Sequence, residues 1–390
     1  MKKSLLTLSF GTFGLGIAEF VMMGILPAVA HDFRISIPQA GHLISAYALG
    51  VCVGAPLSVF VARTLPLKKI LMALVAIYAI GNLFTGLTPS YWSILLMRFV
   101  SGLPHGAFFG VGSIVAEKLA DKGKSARAVA LMVAGMTVAN LAGVPLGTFL
   151  SNLLSWRIIF IANGIWGIIN LLAIIRWLPQ LDPMPNSGLR GQFAFLQNLS
   201  PWLLIGSTAL ANGGIFCMYS YVTPLMTDMA GFSAADMSWI MVICGLAMVV
   251  GNIIGGRLSD KYPMHNVLIS VHAIAALSLI MIFFFASSAA IALPMLIVSS
   301  ASLFGLSSAT QLLLLQNSRG GEMMGAAFVQ VAFNMGNAIG AWNGGVAIDA
   351  NKGVNYTALI GAAYLITACS LVLFYRHWQQ LQVKGYSKAV

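Results

Sequence analysis

Acidic side chains are scarce in this chain: ten among 390 residues, against 21 lysines and arginines. Charged residues of both signs reach only 8%, where soluble domains carry about 25%. A soluble fold has too little interior to bury the 59% of residues that are hydrophobic, whereas a bilayer hides them, so a polytopic membrane protein is expected. The four cysteines, Cys52, Cys217, Cys244 and Cys369, lie inside apolar segments without a CxxC. That excludes a disulfide or zinc framework and leaves them as small buried hydrophobes. The triplet Gly123-Lys124-Ser125 has Lys118 where a phosphate-binding loop needs its first glycine, which argues against ATP as an energy source. No metal-ligand spacing or nucleophile elbow is present, and the loops are too short for a soluble catalytic domain. Neither an enzyme nor a cofactor is expected.

What is there is a recurring apolar segment near 20 residues long, bounded by charge, proline or glycine. Twelve are expected, at 5–29, 39–61, 70–88, 91–116, 126–154, 157–178, 202–227, 236–257, 266–287, 290–316, 324–348 and 355–376. The start, Met1-Lys2-Lys3-Ser4 before an apolar run, imitates a secretory signal. Its run reaches about Ala30, however, and cleavage near Ala18 would discard half a spanning helix, so it reads as a retained first helix.

Alternating helices from a cytoplasmic N-terminus put seventeen of the 21 basic residues on the cytoplasmic side. They are Lys2, Lys3, Arg63, Lys68, Lys69, Lys118, Lys122, Lys124, Arg127, Arg176, Arg190, Arg257, Lys261, Arg319, Arg376, Lys384 and Lys388. Arg34, Arg157 and Lys352 fall on the other side, and Arg98 stays within the membrane. This positive-inside bias predicts a multi-pass protein of the inner (cytoplasmic) membrane with both termini cytoplasmic. It also accounts for the net charge of +11 without nucleic acid.

A stretch from Pro179 to Pro201, with Pro183, Pro185, Asn186, Ser187 and Gly188, interrupts the helices and reads as a cytoplasmic linker. It separates an N-terminal six-helix half (1–178) from a C-terminal one (202–390). Phe193, Leu196 and Leu199 recur at three-residue spacing, which would let the second part lie on the membrane surface, but the reading preferred for the stretch is a tether between the halves. The halves echo each other: Arg63-Thr64-Leu65-Pro66-Leu67-Lys68-Lys69 follows helix two, and Gly256-Arg257-Leu258-Ser259-Asp260-Lys261 follows helix eight. Duplicated halves place a substrate site between them near the midplane. The expected fold is therefore all-α, integral to the membrane, with twelve helices in two pseudo-symmetric six-helix halves.

Glu19 is the exception among the acids, since it sits mid-segment in Leu15-Gly16-Ile17-Ala18-Glu19-Phe20-Val21-Met22. A carboxylate at mid-bilayer costs about 2.5–3.5 kcal/mol on insertion scales and marks a candidate ion or proton site. Its plainer reading is a neutral, hydrogen-bonded group in the bundle. Arg98 lies about 10 Å below the outer face at 1.5 Å per residue, either paired inside or snorkelling. His105 follows at i+7 on the same helix face and is either a proton partner for Glu19 or an ordinary buried histidine.

Four stretches resemble the major facilitator superfamily, in its twelve-helix drug:proton antiporter branch and its AraJ-type (arabinose-efflux-permease-like) members. They are Gly11–Phe20, Arg98–Ala107, Gly135–Gly147 and Trp156-Arg157. The resemblance implies proton coupling at Glu19, Arg98 and His105. It implies an antiporter motif in helix five, where Gly143, Pro145 and Gly147 pack closely and limit leak. It also implies a cytoplasmic latch, for which Asp260 and Lys261 match the family's loop signature while Thr64 replaces its first-half aspartate. Expected substrate-binding residues are Met22, Met23, Phe108, Asn140, Asn212, Phe216, Tyr219, Gln311, Gln330, Asn334 and Asn337; polar amides among them also serve as interhelical glue. The function expected is a proton-coupled exporter of small amphipathic molecules or drugs, a monomer with the bilayer, protons and substrate as its partners. The alternatives are a sugar or small-metabolite carrier, symport included, and a non-transporting receptor.

Overall fold

The computed structural model describes residues 3–61, 65–121, 124–183, 192–318 and 321–387. Lys2, Arg63, Thr64, Lys122, Gly123, Pro185, Asn186, Ser187, Gly188, Arg190, Arg319, Lys388 and the Lys384 side chain lie outside the described set. In the first half, α1 spans Lys3–Phe33, α2 Ile37–Val61, α3 Leu67–Leu87 and α4 Tyr91–Leu119. Next, α5 runs Ser125–Val138, passes a π-helical turn at Ala139–Gly143 and continues as Val144–Leu153; α6 is Trp156–Trp177. In the second half, α7 is Leu199–Tyr219, followed by Val222–Pro224 and a π-helical turn at Leu225–Met229. The rest are α8 (Met237–Lys261), α9 (Met264–Phe285), α10 (Ala289–Gly305 and Ser307–Gln316), α11 (Glu322–Asp349) and α12 (Tyr356–Ser387).

Several helices outrun their apolar segments. α1 and α12 carry polar turns past the hydrocarbon because nothing there breaks them, whereas α7 stops early, just ahead of Pro224. Eleven helices among the described residues are apolar and long enough to cross a membrane. α11, at 28 residues, is long enough too. It carries Gln330, Asn334, Asn337 and Asn343, packs against α2, α7, α10 and α12, and exposes Ile339, Trp342 and Val346. Outward faces expose Trp92, Leu172, Leu277 and Phe284, as an apolar solvent permits.

The packing repeats six helices on. Pairs α1·α5, α2·α4, α3·α4 and α3·α6 have counterparts in α7·α11, α8·α10, α9·α10 and α9·α12. Across the halves, α2 meets α11 and α5 meets α8. Close approach depends on small residues: a Cβ on Gly102 would collide with the Tyr47 carbonyl of α2. In α5 the turn has a local cause. Pro145 has no N–H to give, and the ladder relaxes so that Val144 N–H reaches back five residues to the Ala139 carbonyl.

Two local contacts were not visible in the sequence. Of the linker segment, Phe193 and Leu199 are exposed; the residue that anchors it is Phe195, buried among Ala55, Val59, Met324 and Ala327 of α2 and α11. A 3-10 turn at Ala194–Gln197 sets that direction. Lys68 caps a neighbouring helix. Its ammonium donates to the carbonyls of Ile175 (2.9 Å) and Leu178 (2.6 Å), closing the C-terminus of α6.

Candidate functional site

Between the halves lies a cavity of about 1100 Å3. Its wall runs from Glu19, Asn212 and Asn337 at the apex to Glu117 and Leu315 near the end where the basic residues gather, called here the basic end. The other end is sealed. Thr223 Oγ1 donates to the Met23 carbonyl (2.8 Å) and Ser45 Oγ to that of Ala338 (2.9 Å). His42 stacks on Trp342 with ring centroids 4.4 Å apart, joining α2 to α11. Asn152 Nδ2 donates to the Ala234 carbonyl (3.0 Å), joining α5 to the loop before α8.

At the apex Glu19 is 7% exposed and meets both halves. Its Oε2 lies 3.7 Å from His105 Nε2 on α4, and its Oε1 accepts a hydrogen bond from Asn337 Nδ2 on α11 at 3.2 Å. The far nitrogen of the imidazole, Nδ1, lies 2.8 Å from the Tyr47 hydroxyl, and its ring stacks on Phe109. Arg98 is fully buried, which excludes snorkelling. Its guanidinium does not touch the carboxylate. Nη1 donates to the Ala18 carbonyl (2.8 Å) and Nε to the Leu43 carbonyl (3.3 Å), while Cζ lies over the Tyr47 ring at 4.4 Å. The cluster is thus a chain: Arg98 on the Tyr47 ring, Tyr47 on His105, His105 beside Glu19, and Glu19 on Asn337.

Among the residues expected to bind substrate, Asn212, Phe216, Gln311, Gln330, Asn334 and Asn337 line the cavity, as does Ser307. Five do not. Phe108 turns away onto Gly11 of α1, and its neighbour Phe109, about 100° round the helix, faces the cavity instead. Met22 and Met23 lie in the packed core toward the sealed end. Asn140 sits in the π-helical turn of α5, its carbonyl against Gly245 of α8. Tyr219 is buried with its hydroxyl on Met241 Sδ (3.8 Å). The sequence reading missed Tyr47, Phe20, Asn252, Phe304 and Phe333. The Tyr47 contacts depend on residues 51 and 58 positions away, Arg98 and His105, and no local pattern reports them.

In helix five, a Cβ on Gly143 would come 2.7 Å from Ile17 Cγ1, and one on Gly147 would come 2.8 Å from Val21 Cγ2, so α5 lies tightly on α1. Asp260 and Lys261 are exposed at the end of α8. His272 is buried in α9, away from the cavity, with Nδ1 unpartnered. Among the described residues no group of three or more His, Cys, Asp or Glu is placed to hold a metal ion.

Residues 8–341 match the family model of the Major Facilitator Superfamily. Over 382 residues the chain is 45% identical to AraJ of Escherichia coli K12, covering 98% of this chain and 97% of that one. It is 29% identical over 384 residues to a chloramphenicol resistance protein of Streptomyces lividans, covering 96% of each. The crystal structure of a point mutant of the nucleoside transporter NupG superposes with a TM-score of 0.78 at 14% identity, over 95% of this chain and 98% of that one.

Proposed function

The chain belongs to the major facilitator superfamily and is a multi-pass membrane transporter, and on that premise we propose that it is a proton-coupled exporter of small amphipathic molecules, drugs among them. The observation that carries this is Glu19: a buried acid at the apex of a wide cavity, beside an imidazole and in contact with both halves. The halves, 1–178 and 202–390 about the linker 179–201, rock against each other around that point. The positive-inside bias supports a cytoplasmic basic end in an inner-membrane protein with both termini cytoplasmic, and in that orientation this conformation loads from inside. The protein works as a monomer.

Substrate enters while Glu19 is ionised. A proton arriving from the outer side neutralises the carboxylate, weakens the hold on a cationic or strongly polarised substrate and permits release. His105 relays the proton, and Arg98 holds α1 and α2 in place through their carbonyls. Asp260 and Lys261 act in the cytoplasmic latch of the second half. The wall suits an amphipathic guest, with Phe109, Phe216, Phe304 and Phe333 interleaved with Asn212, Asn252 and Gln311.

Those amides also support a second reading, a carrier of sugars or small polar metabolites. Proteoliposomes under an imposed pH gradient separate the two, with cationic drugs and chloramphenicol screened against sugars. Gradient-driven movement of the amphipathic set is expected, and Glu19→Gln is expected to abolish it in a protein that still folds. Undiminished transport by Glu19→Gln sinks the proton assignment, and movement of sugars alone favours the second reading.

A further inference from the structure

We propose that Asn337 is the positioning residue through which the second half senses whether Glu19 carries a proton. This rests on the assignment of Glu19 as the proton site, and it adds a direction to the coupling.

The contact joins residues 318 positions apart, on α1 and α11, and both side chains are buried. Glu19 Oε1 accepts from Asn337 Nδ2, which fixes the orientation of the amide. The other end of that amide, Asn337 Oδ1, is buried and has no hydrogen-bond partner. A carboxylate can only accept, so an ionised Glu19 leaves this oxygen unsatisfied and beside a negative charge. Protonation changes that. A proton passed from His105 Nε2, 3.7 Å away, reaches Oε2 and leaves the imidazole neutral, and the new O–H donates to Asn337 Oδ1 while Oε1 keeps Nδ2. Acid and amide then form a two-point pair between the halves.

The other ionisable groups around Glu19 come from α2 and α4. His105 stands at 3.7 Å, Tyr47 is occupied with His105, and Arg98 donates to the Ala18 and Leu43 carbonyls through Nη1 and Nε while its Nη2 is buried without a partner, so its positive charge favours the ionised carboxylate without bonding to it. The cavity wall contributed by α5, α7, α8, α10 and α11 carries no titratable side chain, so nothing on those elements competes for the proton. α11 is also the helix that seals the far end, through Ser45 and Ala338 and through His42 and Trp342. Proton loading therefore tightens the α1–α11 bridge and favours the conformation open at the basic end. Proton release loosens it. An exporter that returns empty with its proton requires this order.

Spin labels at Arg34→Cys and Lys352→Cys, two exposed positions at the sealed end, in a Cys369→Ala background, read that equilibrium. In the otherwise unaltered protein the closed population should rise about five- to tenfold as pH falls from ~8 to ~5, the worth of one added hydrogen bond. Glu19→Gln, whose amide pairs with Asn337 at two points without a proton, should stay closed at every pH. Asn337→Leu should lose the pH response, and Asn337→Gln, which keeps both amide functions, should retain part of it. A pH response that survives in Asn337→Leu, or vanishes equally in the Leu and Gln variants, overturns the role of Asn337. Gradient-driven transport that survives Glu19→Gln instead overturns the proton assignment beneath it.

Discussion

The Tyr47 hydroxyl lies 2.8 Å from His105 Nδ1, with the Tyr47 ring beneath the Arg98 guanidinium. One side chain therefore bridges the buried cation and the imidazole that faces Glu19, and its two functions can be separated. Tyr47→Phe keeps the ring under Arg98 and removes the hydroxyl, leaving Nδ1 buried without a partner at a cost of about 1–3 kcal/mol. Lower thermal stability and a displaced pH profile of transport are expected, the profile measured in proteoliposomes at fixed gradient. A profile that does not move would reduce Tyr47 to packing.

Phe108 and Phe109 offer a contrast at adjacent positions. Phe108 is 1% exposed and fills the space above Gly11, so Phe108→Ala should cost about 3–5 kcal/mol of stability. Phe109 lines the cavity and stacks on His105, so Phe109→Ala should leave thermal stability nearly intact and shift the KM for amphipathic substrates severalfold. Unfolding midpoints and substrate-dependent transport distinguish the two. The opposite pattern would mean that the cavity wall is formed by the other face of α4.

The same pair shows where the sequence stops being legible. Spanning segments are imposed by bilayer thickness and orientation by the distribution of Lys and Arg, both one-dimensional properties, so the twelve-helix frame could be read directly. Glu19 was visible because a lone acid in an apolar run is costly. Helix rotation is different: Phe108 and Phe109 differ by about 100°, and apolar residues all round a membrane helix give no moment to choose between them. Asn140 and Asn337 are both amides inside apolar helices. Only the fold shows that one sits in a π-helical turn against α8 and the other on Glu19. Phe195 was hidden for a similar reason, since a short 3-10 turn, not the spacing of Phe193, Leu196 and Leu199, decides which residue turns inward.

Lys68 caps the end of α6 through two carbonyls. Removal of a charge that interacts with a helix C-terminus costs about 0.3–1 kcal/mol at exposed sites. Lys68→Ala should therefore show a small drop in thermal stability and gradient-driven transport within about twofold of the parent. Loss of coupling without loss of stability would give this residue a role in gating instead.

Two glycines at helix contacts predict opposite tolerances. A Cβ on Gly143 meets Ile17 Cγ1 at 2.7 Å, the outer part of a side chain that can shift by a few tenths of an ångström. A Cβ on Gly245 meets the backbone carbonyl of Asn140, which cannot. Gly245 is where α8 rests on the π-helical turn of α5, a contact between the halves. Gly143→Ala should be tolerated, with transport reduced by less than about threefold, while Gly143→Leu should cripple transport with ligand affinity little changed. Gly245→Ala should force α5 and α8 apart, costing about 1–3 kcal/mol as an overpacked contact and raising the population open at the sealed end. Thermal unfolding together with the Arg34–Lys352 label distance checks both. Equal tolerance of alanine at the two positions would show that the α5–α8 contact yields as readily as a side chain, and that the seal at that end rests on α2 and α11 alone.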